Sequence, residues 1–356
     1  MKNPWLRGVP AAAAALVAAS LVMPLSASAH AKTTLLETGS TLLYPLYQIW
    51  IPVYTRLHPG LQFTDGGTGS GTGIAEAESG DVQIGASDAY LPPHSISHTG
   101  ARMLNIPLAI SAQMVNYNLP GLNGTHLKLS GTVLAEIYSG KITKWNDKAI
   151  AAMNPGVKLP AKTIIPMRRS DASGDTFLFT TYLTDMNPKV WGSVGYGTSV
   201  SWPSLGSEVA ETGNSGMVTG VHSTPYSVAY IGISYLKEIQ ADKLGEAMIE
   251  NRSGKFVLPN AKTISAAATA MVPKTPADET LSLVFAPGAN SYPIINYEYA
   301  IISTVQPNAA TASAIRTFLD WAVTKGNAPA FLNKVGFQPL PKFVVQMSEK
   351  QITQIH

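Results

Sequence analysis

The sequence contains no cysteine. That excludes disulfides, thiolate metal sites and cysteine nucleophiles. It also excludes a lipid-modified cysteine behind a leader. Charge is scarce as well. Only 13% of the residues are Asp, Glu, Lys or Arg, about half of the usual quarter, so Ser, Thr, Asn, Gln and Gly must cover most of the surface. The balance is just +3 and no run of Lys or Arg concentrates it, which argues against a nucleic-acid partner. No tract is polar and charged enough to be disordered. Past the N-terminal leader, no apolar run is long enough to cross a bilayer.

The leader comes first among the features that are present. Lys2 and Arg7 flank the start of the apolar run VPAAAAALVAASLVM, Pro24 breaks it, and Ala27-Ser28-Ala29 forms a small-x-small cleavage pattern. About 15 apolar residues are short for a membrane span. A cleaved secretory signal over 1–29 is expected. Its loss removes two cations and no acid, so the mature charge is +3 − 2 = +1. The expected location is the bacterial periplasm.

The remaining chain is long enough, and at 45% hydrophobic rich enough, for one large or two medium domains. TTLLETGST reads as a strand and a polar turn. LLYPLYQIWIPVYTRLH follows with an apolar helical face, made irregular by Pro45 and Pro52. LQFT is a strand, IAEAESG a short helix, and DVQIGASDAYLPP a strand ending in a turn. This alternation predicts an α/β layer on a parallel sheet. Two apolar, β-rich runs lie far apart, LAISAQMVNYN (108–118) and PIINYEYAIISTV (293–305). The stretch between them is self-contained, which predicts two lobes with the chain crossing twice. TASAIRTFLDWAVTKG is an amphipathic helix ending at Gly326.

Three loop-to-helix junctions resemble one another: TGSTL (38–42), GGTGSGTGI (66–74) and SDASGDTF (170–177). Each sets Gly and Ser/Thr ahead of a helix. A first helical turn has unpartnered N–H groups and partial positive charge. Glycine lets a ligand approach them, and hydroxyls add donors, which together suit an oxyanion. The plainer reading of any single junction is an N-cap. The glycine run fits neither the dinucleotide nor the P-loop pattern. Arg169 offers a permanent, planar donor fork, and Asp171 is placed to hold it. Asp88, at the end of the QIGAS strand, is either a turn former or an acceptor facing the anion. As an acceptor it would suit hydrogen phosphate, which carries a proton, and reject sulfate, which does not.

These residues sit in longer matching stretches. They are GST (39–41), GSGTG (69–73), GASDA (85–89), IYSGKITKWND (137–147), and RRSDASGDTF (168–177) followed by LFTTYL. Also similar are SVGYGTSVSWP (193–203), TGNSGMV (212–218), YSVAYIGISY (226–235) and FLDWA (318–322). The chain resembles the phosphate-specific substrate-binding proteins of bacterial phosphate ABC transporters. The resemblance implies a two-lobed periplasmic binding protein fold of the α/β class, with two Rossmann-like lobes joined by two crossover strands. Lobe I is expected to span 30–110 plus 291–356, and lobe II 111–290. The implied phosphate contacts are Thr41, the amide of Leu42, Ser70, Asp88, Arg169, Ser173, Gly174 and Asp175, with Asp171 behind Arg169. No cofactor or metal is implied. The implied partners are inorganic phosphate and an ABC permease and ATPase complex at the inner membrane, served by a monomer.

Two departures stand out. Leu42 replaces a frequent Phe, at a backbone contact. Asp175 stands where the family commonly has Thr. Its carboxylate has three options: to turn away, to pair with Arg168 or another cation, or to be protonated and donate to the anion.

Other features have bland readings. His94 and His98 lack a third ligand and read as loop residues. Trp145 reads as packing, and Lys141 and Lys144 as solvated charge. A phosphatase on the same pocket lacks a metal-spaced cluster or a G-x-S-x-G elbow. A surface or signalling protein on the same fold is the other alternative.

Overall fold

The computed structural model describes residues 32–356; the expected signal, 1–29, lies outside the described residues. Three strands near the N-terminus pair in parallel: β1 (Thr33–Gly39) lies between β2 (Leu61–Thr64) and β3 (Ile84–Ser87). Next comes β4 (Met103–Asn118), buried along all but its last residue. The middle of the chain adds β5 (Lys128–Leu129), β6 (Ile165–Arg169), β7 (Val209–Glu211), β8 (Ser227–Gly232), β9 (Gly245–Glu246), β10 (Met248–Glu250) and β11 (Phe256–Val257), and β12 (Ile295–Ser303) returns near the end. The main sheet runs β2-β1-β3-β12-β4-β8-β6-β7, with β9 also on β4; β11-β10-β5 form a small second sheet.

The two long apolar runs are the strands that join the halves. Residues Met103–Ala112 of β4 pair with β12, and Gln113–Asn118 pair with β8. One continuous strand thereby belongs to both lobes of an α/β, two-lobed periplasmic binding protein fold. Here the expectation of a parallel sheet needs correction. The outer strands are parallel, but β12 is antiparallel to β3 and β4, and β4 is antiparallel to β8. The reason is topological. A chain that leaves one lobe along β4 and returns along β12 presents two adjacent strands of opposite sense.

Each half has its own aromatic core. Trp50 and Tyr54 each meet Phe318 and Trp321 edge-on or tilted, with centroids 5.1–6.5 Å apart, and the Trp50 indole donates to the Gly326 carbonyl at 2.9 Å. In the other half Phe179 and Trp202 both stack on Tyr230, at 4.6 and 6.1 Å. Such pairs add roughly 0.5–1.5 kcal/mol each beyond burial. Trp145 is fully buried and donates to the Tyr226 carbonyl, as the packing reading expects.

The helix carrying Trp50 runs Tyr44–Leu57. Pro45 falls in its first turn, where a missing N–H costs nothing. Pro52 removes one internal bond, and the buried face of Leu46, Tyr47, Trp50 and Tyr54 holds the helix regardless. The helix expected from Ile74 begins earlier, at Ser70, so the glycine run is half helix.

Candidate functional site

Strands β1, β3 and β6 end on the same side as the three junctions. Close backbone approach sets the first contact. Gly39 has φ +139°, and a Cβ there would overlap the Ala86 carbonyl oxygen, so only glycine lets β1 end against β3. The Ser40 amide then donates to that carbonyl at 2.9 Å. The Ser40 hydroxyl accepts from the amides of Leu42 (3.1 Å) and Leu43 (2.9 Å). Both are first-turn donors of the kind a cap satisfies. Its hydrogen goes to Oδ1 of Asp88.

Asp88 is 2% exposed. Its amide donates to Ser70 Oγ at 3.1 Å, which leaves the wholly buried Ser70 free to donate its own hydrogen. Oδ2 faces Gly174. A Cβ on Gly174 would lie 2.4 Å from Asp88 Oδ2 and 2.5 Å from Ser70 Oγ. Second and third junctions also meet directly, through the Gly71 amide and the Ala172 carbonyl at 2.9 Å. Burial pushes the Asp88 carboxyl up; contacts with Glu298 and Ser40, the Arg169 charge and Ser70 offset part of this.

Arg169, the last residue of β6, is 3% exposed. Its Nε donates to Asp171 Oδ1 at 2.7 Å, Nη2 donates to Asp171 Oδ2, and Nη1 donates to Asp175 Oδ2 at 2.9 Å. Burial works against the Asp171 carboxyl, but the Arg169 guanidinium and the Gly213 amide win and hold it below the usual range. The partnership expected between Arg169 and Asp171 is therefore present. Three of the five guanidinium N–H groups are committed to carboxylates.

Asp175 lies in the first turn of the helix Gly174–Met186 and is fully buried. Of the options open to it, pairing with a cation is the one adopted, and the cation is Arg169 rather than Arg168. Asn214 Nδ2 donates to the same oxygen at 2.6 Å, and Gln113 Nε2 reaches Oδ1 at 3.2 Å and the Asp175 carbonyl at 2.7 Å. Burial and then the Asp88 charge raise this carboxyl to about 7 against the pull of Arg169, Gln113 and Asn214. Ser173 caps the helix, its Oγ accepting from the Thr176 amide.

Thr41 and Leu42 face β8 and the helix Gly213–Ser223. Thr41 Oγ1 accepts from the Asn214 amide (3.2 Å) and side chain (3.0 Å), and the Leu42 carbonyl accepts from Ser234 Oγ at 2.8 Å. The structure thus brings all eight expected residues to one enclosed place. It adds four that the sequence reading did not single out: Ser40, Gln113, Asn214 and Glu298. Gln113 and Glu298 had a signal, since each is a polar residue inside a long apolar run. No cluster of three metal-ligating side chains occurs among the described residues, around His94 and His98 or elsewhere.

A model of the PBP superfamily domain matches residues 26–325. The phosphate-binding protein PstS of Methanocaldococcus jannaschii is 38% identical over 340 residues, covering 89% of this chain and 85% of that protein. This chain belongs to the PstS family of phosphate-binding proteins. The Pasteurella multocida member is 32% identical, covering 93% of this chain and 94% of the relative. Among solved structures, a high-affinity periplasmic phosphate-binding protein with phosphate bound superposes with a TM-score of 0.69 at 22% identity, covering 89% of this chain and 93% of the other. The phosphate-binding protein of Stenotrophomonas maltophilia gives 0.66 at 20%, covering 89% and 93%. At those identities the likeness concerns the fold.

Proposed function

We propose that this protein captures inorganic phosphate reversibly between its two lobes and delivers it to an ABC-type importer. The observation that carries the reading is Asp88, a buried carboxylate with no cation of its own. It lies beside the Ser70 hydroxyl and the backbone of Gly174. A carboxylate there repels an anion with no hydrogen and accepts a hydrogen bond from one that has it. Thr41, the Leu42 amide, Ser70, Asp88, Arg169, Ser173, Gly174 and Asp175 are the assigned contacts, with Asp171 holding Arg169 and the Leu42 amide shared between Ser40 Oγ and the ligand. Because Arg169 already faces two carboxylates, hydroxyls and amides must stabilise most of the ligand's charge.

The assigned lobes are 30–110 with 291–356, and 111–290. In support, β4 changes partner between Ala112 and Gln113. On this division the Gly71–Ala172, Thr41–Asn214 and Leu42–Ser234 hydrogen bonds cross the cleft, so the lobes are closed. Ligand favours closure through its higher affinity for the closed form. The closed form then docks, as a monomer, on a permease and ATPase complex at the inner membrane. A cleaved leader over 1–29 places the mature chain in the periplasm, and no described helix is long and apolar enough to cross a membrane. No catalysis is assigned; the relatives are named as binding proteins.

The test is isothermal titration of the mature protein, stripped of ligand by unfolding and refolding, with inorganic phosphate at neutral pH. Tight one-to-one binding is expected. Absence of heat from a protein shown to be folded overturns the reading.

A further inference from the structure

Beside Asp88 lies a second buried acid. Glu298 sits in β12 and is fully shielded from solvent. Its carboxyl lies against that of Asp88, and the Asn296 side chain spans the two residues, donating to Glu298 Oε1 at 3.0 Å and to the Asp88 carbonyl at 3.4 Å. Two carboxylates in contact cannot both be ionised in a dry site, so one proton lies between them.

The neighbours show which residue carries it. Glu298 Oε1 accepts from Asn296 Nδ2 at 3.0 Å and lies against Ser111 Oγ, whose one hydrogen also has Asn296 Oδ1 within reach at 2.7 Å. Oε2 has no donor, although it is sealed from water. A buried carboxylate oxygen without a donor is costly, whereas a protonated one needs an acceptor, and Asp88 is at hand. Asp88, by contrast, already accepts from Ser40, whose own acceptor capacity is filled by two amides. Asp88 is arranged as an anion and Glu298 as an acid. We propose that Glu298 is a positioning residue for anion recognition: it keeps its proton, donates it to Asp88, and so holds Asp88 ionised as the acceptor for the ligand's hydroxyl.

The consequence is selectivity. Without that donor, Asp88 is a buried carboxyl that takes up a proton itself. It then faces the cleft as a donor, which serves sulfate and fails hydrogen phosphate. The groups that bear on this proton are few. Asp88 faces Glu298 directly, and Arg169 and Asp175 act through Asp88. From β4 the neighbour is Ser111, and from the helix Ser70–Ser79 it is Ser70 by way of the Asp88 amide; neither titrates near neutrality. Burial, then the Asp88 charge, hold the Glu298 carboxyl well above its ordinary range. Its neutral form is favoured accordingly.

This inference rests on the phosphate reading, and its test separates the two. Wild type, Glu298→Leu and Glu298→Gln are titrated with phosphate and with sulfate from about pH 6 to about pH 9. Gln presents an acceptor to Ser111 and Asn296 and an N–H to Asp88, as the protonated acid does. Glu298→Leu is expected to lower the phosphate-to-sulfate affinity ratio at least about tenfold. Glu298→Gln is expected to restore most of it. A Leu variant with the wild-type ratio, or a Gln variant that behaves like Leu, overturns the proposal. Infrared difference spectra without any ligand form a separate arm. The carbonyl band of a protonated carboxyl is expected in wild type at neutral pH and to be diminished in Glu298→Gln. Identical spectra overturn the proposal whatever the titrations give. A folded wild type that shows the band and binds no phosphate overturns the phosphate reading, and the recognition role with it.

Discussion

Nη1 of Arg169 lies 2.9 Å from Oδ2 of Asp175, and both side chains are shielded from solvent. The cation that a sequence reading assigns to the ligand is therefore shared among Asp171, Asp175 and any bound anion. Asp175 draws on the same charge that would hold phosphate. It also adds a negative charge of its own as pH rises through about 7.

Asp175→Asn is accordingly expected to tighten phosphate binding. The gain is of the order of tenfold at pH near 8, and smaller near pH 6, where Asp175 is already neutral. Calorimetric titration at both pH values checks this. A loss of tenfold or more would mean that the protonated carboxyl donates to the ligand.

Gly174 tests how tightly the cleft closes. An added methyl would meet Asp88 Oδ2 at 2.4 Å and Ser70 Oγ at 2.5 Å. On the proposed lobe division both atoms belong to the opposite lobe, so the clash is expected on closure. Gly174→Ala is expected to weaken phosphate binding at least about a hundredfold, near 3 kcal/mol, with a much smaller change in the melting temperature of the ligand-free protein. Equal losses in both measurements would place the clash in the lobe rather than the cleft.

Asn214 joins three pieces of chain. Its side chain donates to Thr41 Oγ1 and Asp175 Oδ2, and accepts from the Gly232 amide at 2.8 Å. Asn214→Ala strands a buried amide and a buried carboxylate, at about 1–3 kcal/mol for each unsatisfied group. The expected outcome is about tenfold or greater loss of phosphate affinity together with a lower melting temperature. Unchanged affinity would remove Asn214 from the site.

Glu279 gives a pH signature unrelated to the ligand. It is buried at φ +57°, held by Ser348 Oγ (2.8 Å) and Gln351 Nε2 (2.7 Å), and burial raises its carboxyl to about 8. The folded state keeps a proton that the unfolded chain releases near pH ~4.3. Stability should therefore fall as pH rises through this window and level off above about 8. Glu279→Gln removes that contribution, with Ser348 turning to accept from the new amide. Its melting temperature relative to wild type is expected to be higher at pH 8 than at pH 5. A difference independent of pH contradicts this account of Glu279.

Much of the site was legible because its chemistry is local. Gly with Ser or Thr ahead of an apolar helix marks an anion-binding turn in sequence, and all three such turns converge. The crossing strands were legible as long apolar runs. Their sense was not, because periodicity carries no strand direction. Ser40 was hidden by Thr41, since adjacent hydroxyls look alike until a backbone turn decides which one faces Asp88. Asn214 and Gln113 lie 39 and 62 residues from the Asp175 they hold, beyond the reach of any local pattern. Glu298 was visible as an acid within PIINYEYAIISTV, but its partner Asp88 was not.

The central claim is that Asp88 selects the ligand by its proton. The most direct measurement compares phosphate and sulfate affinities for wild type and Asp88→Asn at neutral pH. Wild type is expected to bind phosphate and give no sulfate heat. In Asp88→Asn, an amide donor replaces the carboxylate, and the phosphate-to-sulfate ratio is expected to collapse by about a hundredfold or more. A variant that keeps the wild-type ratio, or a wild type that takes sulfate as readily as phosphate, would contradict the account.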